Sequence, residues 1–142
     1  MTEQKIANLA GRTAIIADDD DIVRSMLRSV LRVVGLNVLA ETSNGERTLA
    51  AYLEHRPQIV CLDINMPGIS GLEVLSEIRK ISTETIILIV SAETTQGNTR
   101  KAIEEKADGI IAKPFNTARV TSEIERALHK RASIQQPTFK LS

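Results

Sequence analysis

From Thr13 onward, short unbroken apolar runs alternate with longer segments whose apolar residues recur at threes and fours. That alternation admits few folds, because runs this short read as strands and the striped segments between them read as helices. Strands alternating with helical patterns are the mark of βαβ units around a parallel sheet. The runs are Ala14 to Ala17, Leu36 to Ala40, Ile59 to Leu62, Ile86 to Val90 and Ile110 to Ala112. They are apolar at every position rather than at alternate ones, so both faces of the sheet must be covered. Val23, Met26, Leu27, Val30, Leu31 and Val34 stripe a first helix, which Gly35 closes. Leu49 and Leu53 mark a second, Leu72, Leu75 and Ile78 a third, Ala102, Ile103 and Lys106 a fourth, and Val120, Ile124, Ala127 and Leu128 a fifth. No hairpin signal joins consecutive strands, so they are predicted to run parallel with right-handed crossovers.

A chain of 142 residues suits one domain with its own core. Basic and acidic residues number 18 each, so no global basic field exists and no direct nucleic-acid partner is expected. Cys61, the single cysteine, sits in an apolar run. It excludes a disulfide framework and a cysteine zinc cluster, and it fits a reducing compartment. Met1 to Arg12 carries charges without an apolar signal core, and no stretch approaches the roughly 18 apolar residues a membrane span needs. The expectation is a cytoplasmic protein without a membrane partner. Residues 1–11 read as a polar leader, 12–130 as the domain and 131–142, which contain Pro137, as a flexible tail. That tail is too short for a helix-turn-helix module.

In an open parallel sheet, ligands bind beyond the carboxyl ends of the strands, so the residues that end each strand matter most. The first run ends at Asp18, Asp19, Asp20 and Asp21, the third at Asp63, the fourth at Ser91 and the fifth at Lys113 and Pro114. Helix capping accounts for Asp20 or Asp21. It accounts less well for carboxylates at the strand end itself, which repel one another unless a cation is present. Oxygen ligands of this kind suit Mg²⁺. An EF-hand is excluded by spacing, since counting from Asp18 the sixth position is Val23 and the twelfth Ser29. Asp63 reads as a turn-entry residue, a third metal ligand or a nucleophile toward phosphorus. Taken singly, Ser91 fits a cap and Lys113 a solvated lysine before a proline turn.

Four motifs together carry a resemblance: Ala17-Asp18-Asp19-Asp20, Leu62-Asp63-Ile64-Asn65-Met66-Pro67-Gly68 with Gly71, Val90-Ser91-Ala92, and Ala112-Lys113-Pro114-Phe115. From about Arg12 to Lys130 the chain resembles the receiver domain of two-component response regulators. The resemblance implies a flavodoxin-like (βα)5 doubly wound sheet in the order 2-1-3-4-5. It implies a phosphorylation-activated switch rather than an enzyme, with self-phosphorylation from a donor and autodephosphorylation as its only chemistry. Asp63 is then the phospho-acceptor, served by a sensor histidine kinase or a histidine phosphotransfer protein. Mg²⁺ is implied at Asp18, Asp19, Asp63 and the Asn65 backbone carbonyl, while Lys113 and Ser91 bind the phosphoryl oxygens. The Lys113–Pro114 bond is implied to be cis, and a downstream protein target to dock on the fourth helix, fifth strand and fifth helix.

Receivers commonly carry an aromatic switch residue in the fifth strand, where this chain has Ile110. An aliphatic repacking against the fourth helix has to replace it. Asn65 and Glu93 match positions that tune water access to the acyl phosphate, and Glu93 suggests a short to moderate lifetime. A haloacid-dehalogenase-like phosphatase using Asp18, with Asp20, Ser91 and Lys113, is the enzyme alternative. It lacks the usual Gly-Thr or Gly-Val after Asp20 and leaves Asp63 idle. The receiver part of a longer DNA-binding regulator is the other alternative.

Overall fold

The apolar runs form strands and the striped segments form helices. A computed structural model describes residues 9–93 and 96–135. In chain order the elements are β1 (Thr13–Ala17), α1 (Asp21–Val33), β2 (Asn37–Thr42), α2 (Gly45–His55), β3 (Ile59–Leu62), α3 (Gly71–Ile81), β4 (Ile86–Ser91), α4 (Gln96–Glu104), β5 (Gly109–Ala112) and α5 (Thr117–Gln135). The strands pair in the order β2-β1-β3-β4-β5, and every pairing is parallel. This is the flavodoxin-like arrangement.

Successive strand residues point to opposite faces, which explains why the runs are apolar throughout. Ala14, Ile16, Cys61, Leu88, Val90 and Ile111 pack with Leu27 and Leu31 of α1 and Val120, Ile124 and Ala127 of α5. Ile15, Val60, Leu62, Ile87 and Ile89 pack with Tyr52 of α2, Val74, Leu75 and Ile78 of α3 and Ala102 of α4. Each Val, Leu or Ile among them contributes about 1.5–3 kcal/mol on full burial. Helix starts are set locally. The Asn44 side chain accepts from Arg47 N at 2.8 Å, and Ser70 forms a capping box with Glu73 at the head of α3. Gly35, at φ +99°, turns the chain out of α1.

Several details differ from the sequence reading. Met26 and Leu53 are exposed rather than inward, because Leu27 and Leu31 face the sheet from α1 and Thr48, Ala51 and Tyr52 from α2. The Tyr52 hydroxyl hydrogen-bonds Thr85 Oγ1 at 2.6 Å, so a polar tip satisfied inside the core took the place expected of Leu53. Leu36 lies in the turn before β2, and α4 stops at Glu104, leaving Lys106 beyond it at φ +70°. Ile103 is exposed.

Ordered structure continues beyond both ends of the 12–130 span. Leu9, assigned to a polar leader, is fully buried in the α1/α5 core, and Gly11 N donates to Gly35 O at 2.8 Å. The last helix runs past Lys130, where the domain was read as ending, to Gln135, and Arg131, the first residue of the expected tail, is anchored. Its Nε donates to Asp108 Oδ1 at 2.8 Å and its Nη1 to Thr83 O at 2.6 Å. On its other side Asp108 accepts from Arg79 Nη2 and from Ile87 N, each at 2.8 Å. Arg79 also donates to the carbonyls of Thr85 and Lys106 at 2.7 and 2.9 Å. One carboxylate thus ties α3, the entries to β4 and β5, and α5 together at the pole opposite the carboxyl edge. Residues 1–8 and 136–142 lie outside the described residues.

Candidate functional site

Parallel pairing decides which side chains meet at the carboxyl edge. Ala17 of β1 is in register with Leu62 of β3, so Asp18 and Asp63 emerge from adjacent strand ends. Asp63 N donates to Ala17 O at 2.9 Å and Asp18 N to Thr42 O at 3.0 Å. Both carboxylates are buried, Asp18 1% and Asp63 4% exposed, while neighbouring Asp19 is exposed. One carboxylate oxygen from each of Asp18, Asp19 and Asp63 lies within 4.8 Å of the others.

Lys113 leaves β5, its N–H donating to Ser91 O at 3.0 Å, and reaches back over the edge. Its Nζ stands 2.7 Å from Asp18 Oδ2 and 3.6 Å from Asp63 Oδ2. The closer contact is an ion pair at a poor hydrogen-bonding angle, so this buried Asp18 oxygen is compensated in charge without a well-aligned donor. Two buried carboxylates and one rim carboxylate facing a single ammonium leave negative charge in excess. That donor set, hard oxygens converging with one side open to water, fits a small divalent cation.

Burial, and next the Asp18 charge, push the Asp63 carboxyl up to about 6, against the lowering effect of Lys113 and of the Asn65 N–H. Burial pulls Lys113 down, but the Asp18 and Asp63 carboxylates outweigh it and its pKa is raised. The Asp63 shift makes the fold pH-sensitive. A carboxyl whose folded pKa lies above its unfolded value adds no penalty at pH below the unfolded value of 3.8 and the full penalty above about 6. In cation-free buffer, Asp63→Asn is therefore expected to be more stable than wild type near neutral pH, on the order of 2 kcal/mol. The gap should close as the pH falls through 6 toward 3.8, which melting curves across that range measure. A gap that stays constant with pH would count against the charged Asp63 as its cause.

The supporting loops explain several residue choices. Asp20 is the acidic residue that caps α1, its Oδ1 accepting from Ile22 N at 2.8 Å, and Asp21 pairs with Arg24. At Gly71 an added Cβ would stand 1.9 Å from Asp63 O, so the close approach of α3 to the loop after β3 requires glycine there. Ser91 is buried at the end of β4, its Oγ accepting from Glu93 N at 3.1 Å. The Asn65 and Glu93 side chains are exposed. Ile110 packs partly buried in the cluster that includes Ala102 of α4, and the Lys113–Pro114 peptide is cis.

Two residues that the sequence reading did not single out hold this edge. Arg24 Nη1 donates to the Asp18 carbonyl at 2.7 Å, and Glu46 of α2 accepts from Ile69 N at 3.3 Å in the loop after β3. Their partners are backbone groups, six residues away for Arg24 and 23 for Glu46, which no side-chain pattern signals.

Residues 14–125 match the response regulator receiver domain family. The chemotaxis protein CheY of Bacillus subtilis is 36% identical over 115 residues, covering 81% of this chain and 96% of that protein. CheY of Thermotoga maritima is 34% identical over 116 residues, covering 82% and 97%. Among solved structures, a DNA-binding response regulator of the LuxR family from Staphylococcus aureus aligns with a TM-score of 0.77 at 32% identity, covering 82% of this chain and 98% of that one. Among the described residues, no helix is long and apolar enough to cross a membrane.

Proposed function

We propose, for a chain that belongs to the response regulator receiver domain family and so to phosphorylation-activated two-component signalling, that Asp63 is the residue phosphorylated. The observation that carries this reading is the convergence of Asp18, Asp19 and Asp63 oxygens within 4.8 Å, with Lys113 Nζ set against two of them. A histidine kinase or phosphotransfer protein in the cytoplasm is the donor. An Asp63 oxygen attacks phosphorus, the P–N bond breaks with its electron pair passing to the imidazole, and a P–O bond forms, giving an acyl phosphate. Asp18, Asp19, Asp63 and the Asn65 carbonyl would hold Mg²⁺, which when bound neutralises charge on the phosphoryl oxygens and the attacking carboxylate. Lys113 supplies the second positive charge.

Ser91 hydrogen-bonds the new phosphoryl group, and its shift lets Ile110 repack beneath α4. Phosphorylation thereby biases a two-state equilibrium on the α4, β5 and α5 surface, where a protein target selects the activated form. Self-phosphorylation and autodephosphorylation are the only covalent steps. Reaction with acetyl phosphate and Mg²⁺ followed by peptide mass analysis tests the assignment: the adduct is expected on the peptide containing Asp63, whereas an adduct on Asp18 would support the phosphatase alternative. Glu93 and Asn65 stand at the rim as the groups that orient an attacking water. Adduct decay is expected to slow several-fold in Glu93→Ala, and an unchanged decay rate in Glu93→Ala and Asn65→Ala would remove that role.

A further inference from the structure

We propose that Arg24 is a positioning residue for the cation pocket, an inference that rests on the function proposed for Asp18, Asp19 and Asp63. Arg24 sits in the first turn of α1 with 18% of its side chain exposed. Its guanidinium is divided among three partners: Nη1 donates to the Asp18 carbonyl at 2.7 Å, Nη2 pairs with Asp21, and Nε faces Glu41 Oε1 at 3.9 Å. Glu41, on β2, is itself gripped by Arg28 Nη1 at 2.8 Å. The chain Arg28, Glu41, Arg24, Asp18 therefore links α1 and the outer strand β2 to the cation edge.

The peptide that joins Asp18 to Asp19 sets where both carboxylates point. Asp18 is held at its N–H by Thr42 O at 3.0 Å, at its Oδ1 by Asp20 N at 2.9 Å, and at its carbonyl by Arg24. Removing Arg24 frees that carbonyl, so the strand end and the rim carboxylate of Asp19 lose their fixed relation. Groups that orient metal ligands from behind typically matter about 10–100-fold in metal affinity. The positive charge of Arg24 acts in the opposite sense, because a cation beside the pocket repels another cation. Positioning and charge thus predict opposite signs for the same substitution.

Mn²⁺ binding to the whole chain without any phosphodonor, read from the electron paramagnetic resonance signal of the free ion, separates them. Arg24→Lys keeps the charge and loses the planar fork, and Arg24→Ala loses both. Both are expected to bind Mn²⁺ about tenfold more weakly than wild type, in protein that a melting curve shows to be folded. Tighter binding by Arg24→Ala, the sign of a purely electrostatic role, overturns the assignment, as does wild-type affinity in both variants. If Arg24→Ala does not fold, Arg24→Lys carries the test, because it leaves the charge unchanged and loses only the planar fork; wild-type affinity in Arg24→Lys then overturns the assignment. If wild type binds no Mn²⁺, or if Asp18→Asn binds it equally well, the function proposed for the pocket fails and this inference with it.

Discussion

Asp63→Asn is expected to gain no phosphoryl group under conditions in which the wild type, given acetyl phosphate and Mg²⁺, gains one as read by intact mass. The amide lacks the anionic oxygen that attacks phosphorus, and no neighbour is placed to replace it. Asp18 Oδ2 is engaged by Lys113 at 2.7 Å and its Oδ1 by Asp20 N at 2.9 Å, while Asp19 stands exposed at the rim. The loss should therefore be complete. Chelating Mg²⁺ is expected to slow the wild-type reaction by at least about 10²-fold, because the phosphoryl oxygens would then approach three carboxylates with only Lys113 to offset them. An adduct that persists in Asp63→Asn would show that another residue is the acceptor.

Asp108→Ala is expected to lower the unfolding free energy by about 3–5 kcal/mol, measured by urea denaturation. The pair it breaks is buried, with Arg79 and Asp108 side chains 8% and 5% exposed. Removing the carboxylate strands the Arg79 guanidinium, leaves Ile87 N without its acceptor and releases Arg131 at the end of α5. Breaking one side of a buried pair costs more than the pair itself contributes, since the remaining charge stays desolvated. A loss of that size is a large share of a typical domain's 5–15 kcal/mol. A change under about 1 kcal/mol would mean that water reaches these groups and screens them.

The sheet was legible in the sequence because β1, β3 and β4 are covered on both faces and so read as unbroken apolar runs. The edge residues were legible for a related reason: Asp18, Asp63, Ser91 and Lys113 are where those runs stop. What stayed hidden depends on contacts that only the folded chain makes. Leu9 looks polar-flanked and expendable until α1 and α5 close over it. The end of α5 could not be placed because Arg131 is held by Asp108, which is 23 residues away. Arg24 reads as one of several solvent-facing arginines on α1, and only the fold brings it to the Asp18 carbonyl. In α2, tertiary packing chose Tyr52 over Leu53 because Thr85 offers the hydroxyl a partner.

The division of the interior into two separate clusters has an evolutionary consequence. The helix that braces the acidic loop, α1, hangs from one face of the sheet, and the helix beside Ile110, α4, hangs from the other, with only strand backbone shared between them. A substitution beneath one helix therefore meets a different set of side-chain neighbours from one beneath the other. Side chains beneath α1 and side chains beneath α4 can thus change by separate mutations, so that the packing on one face of the sheet can be altered while that on the other is kept.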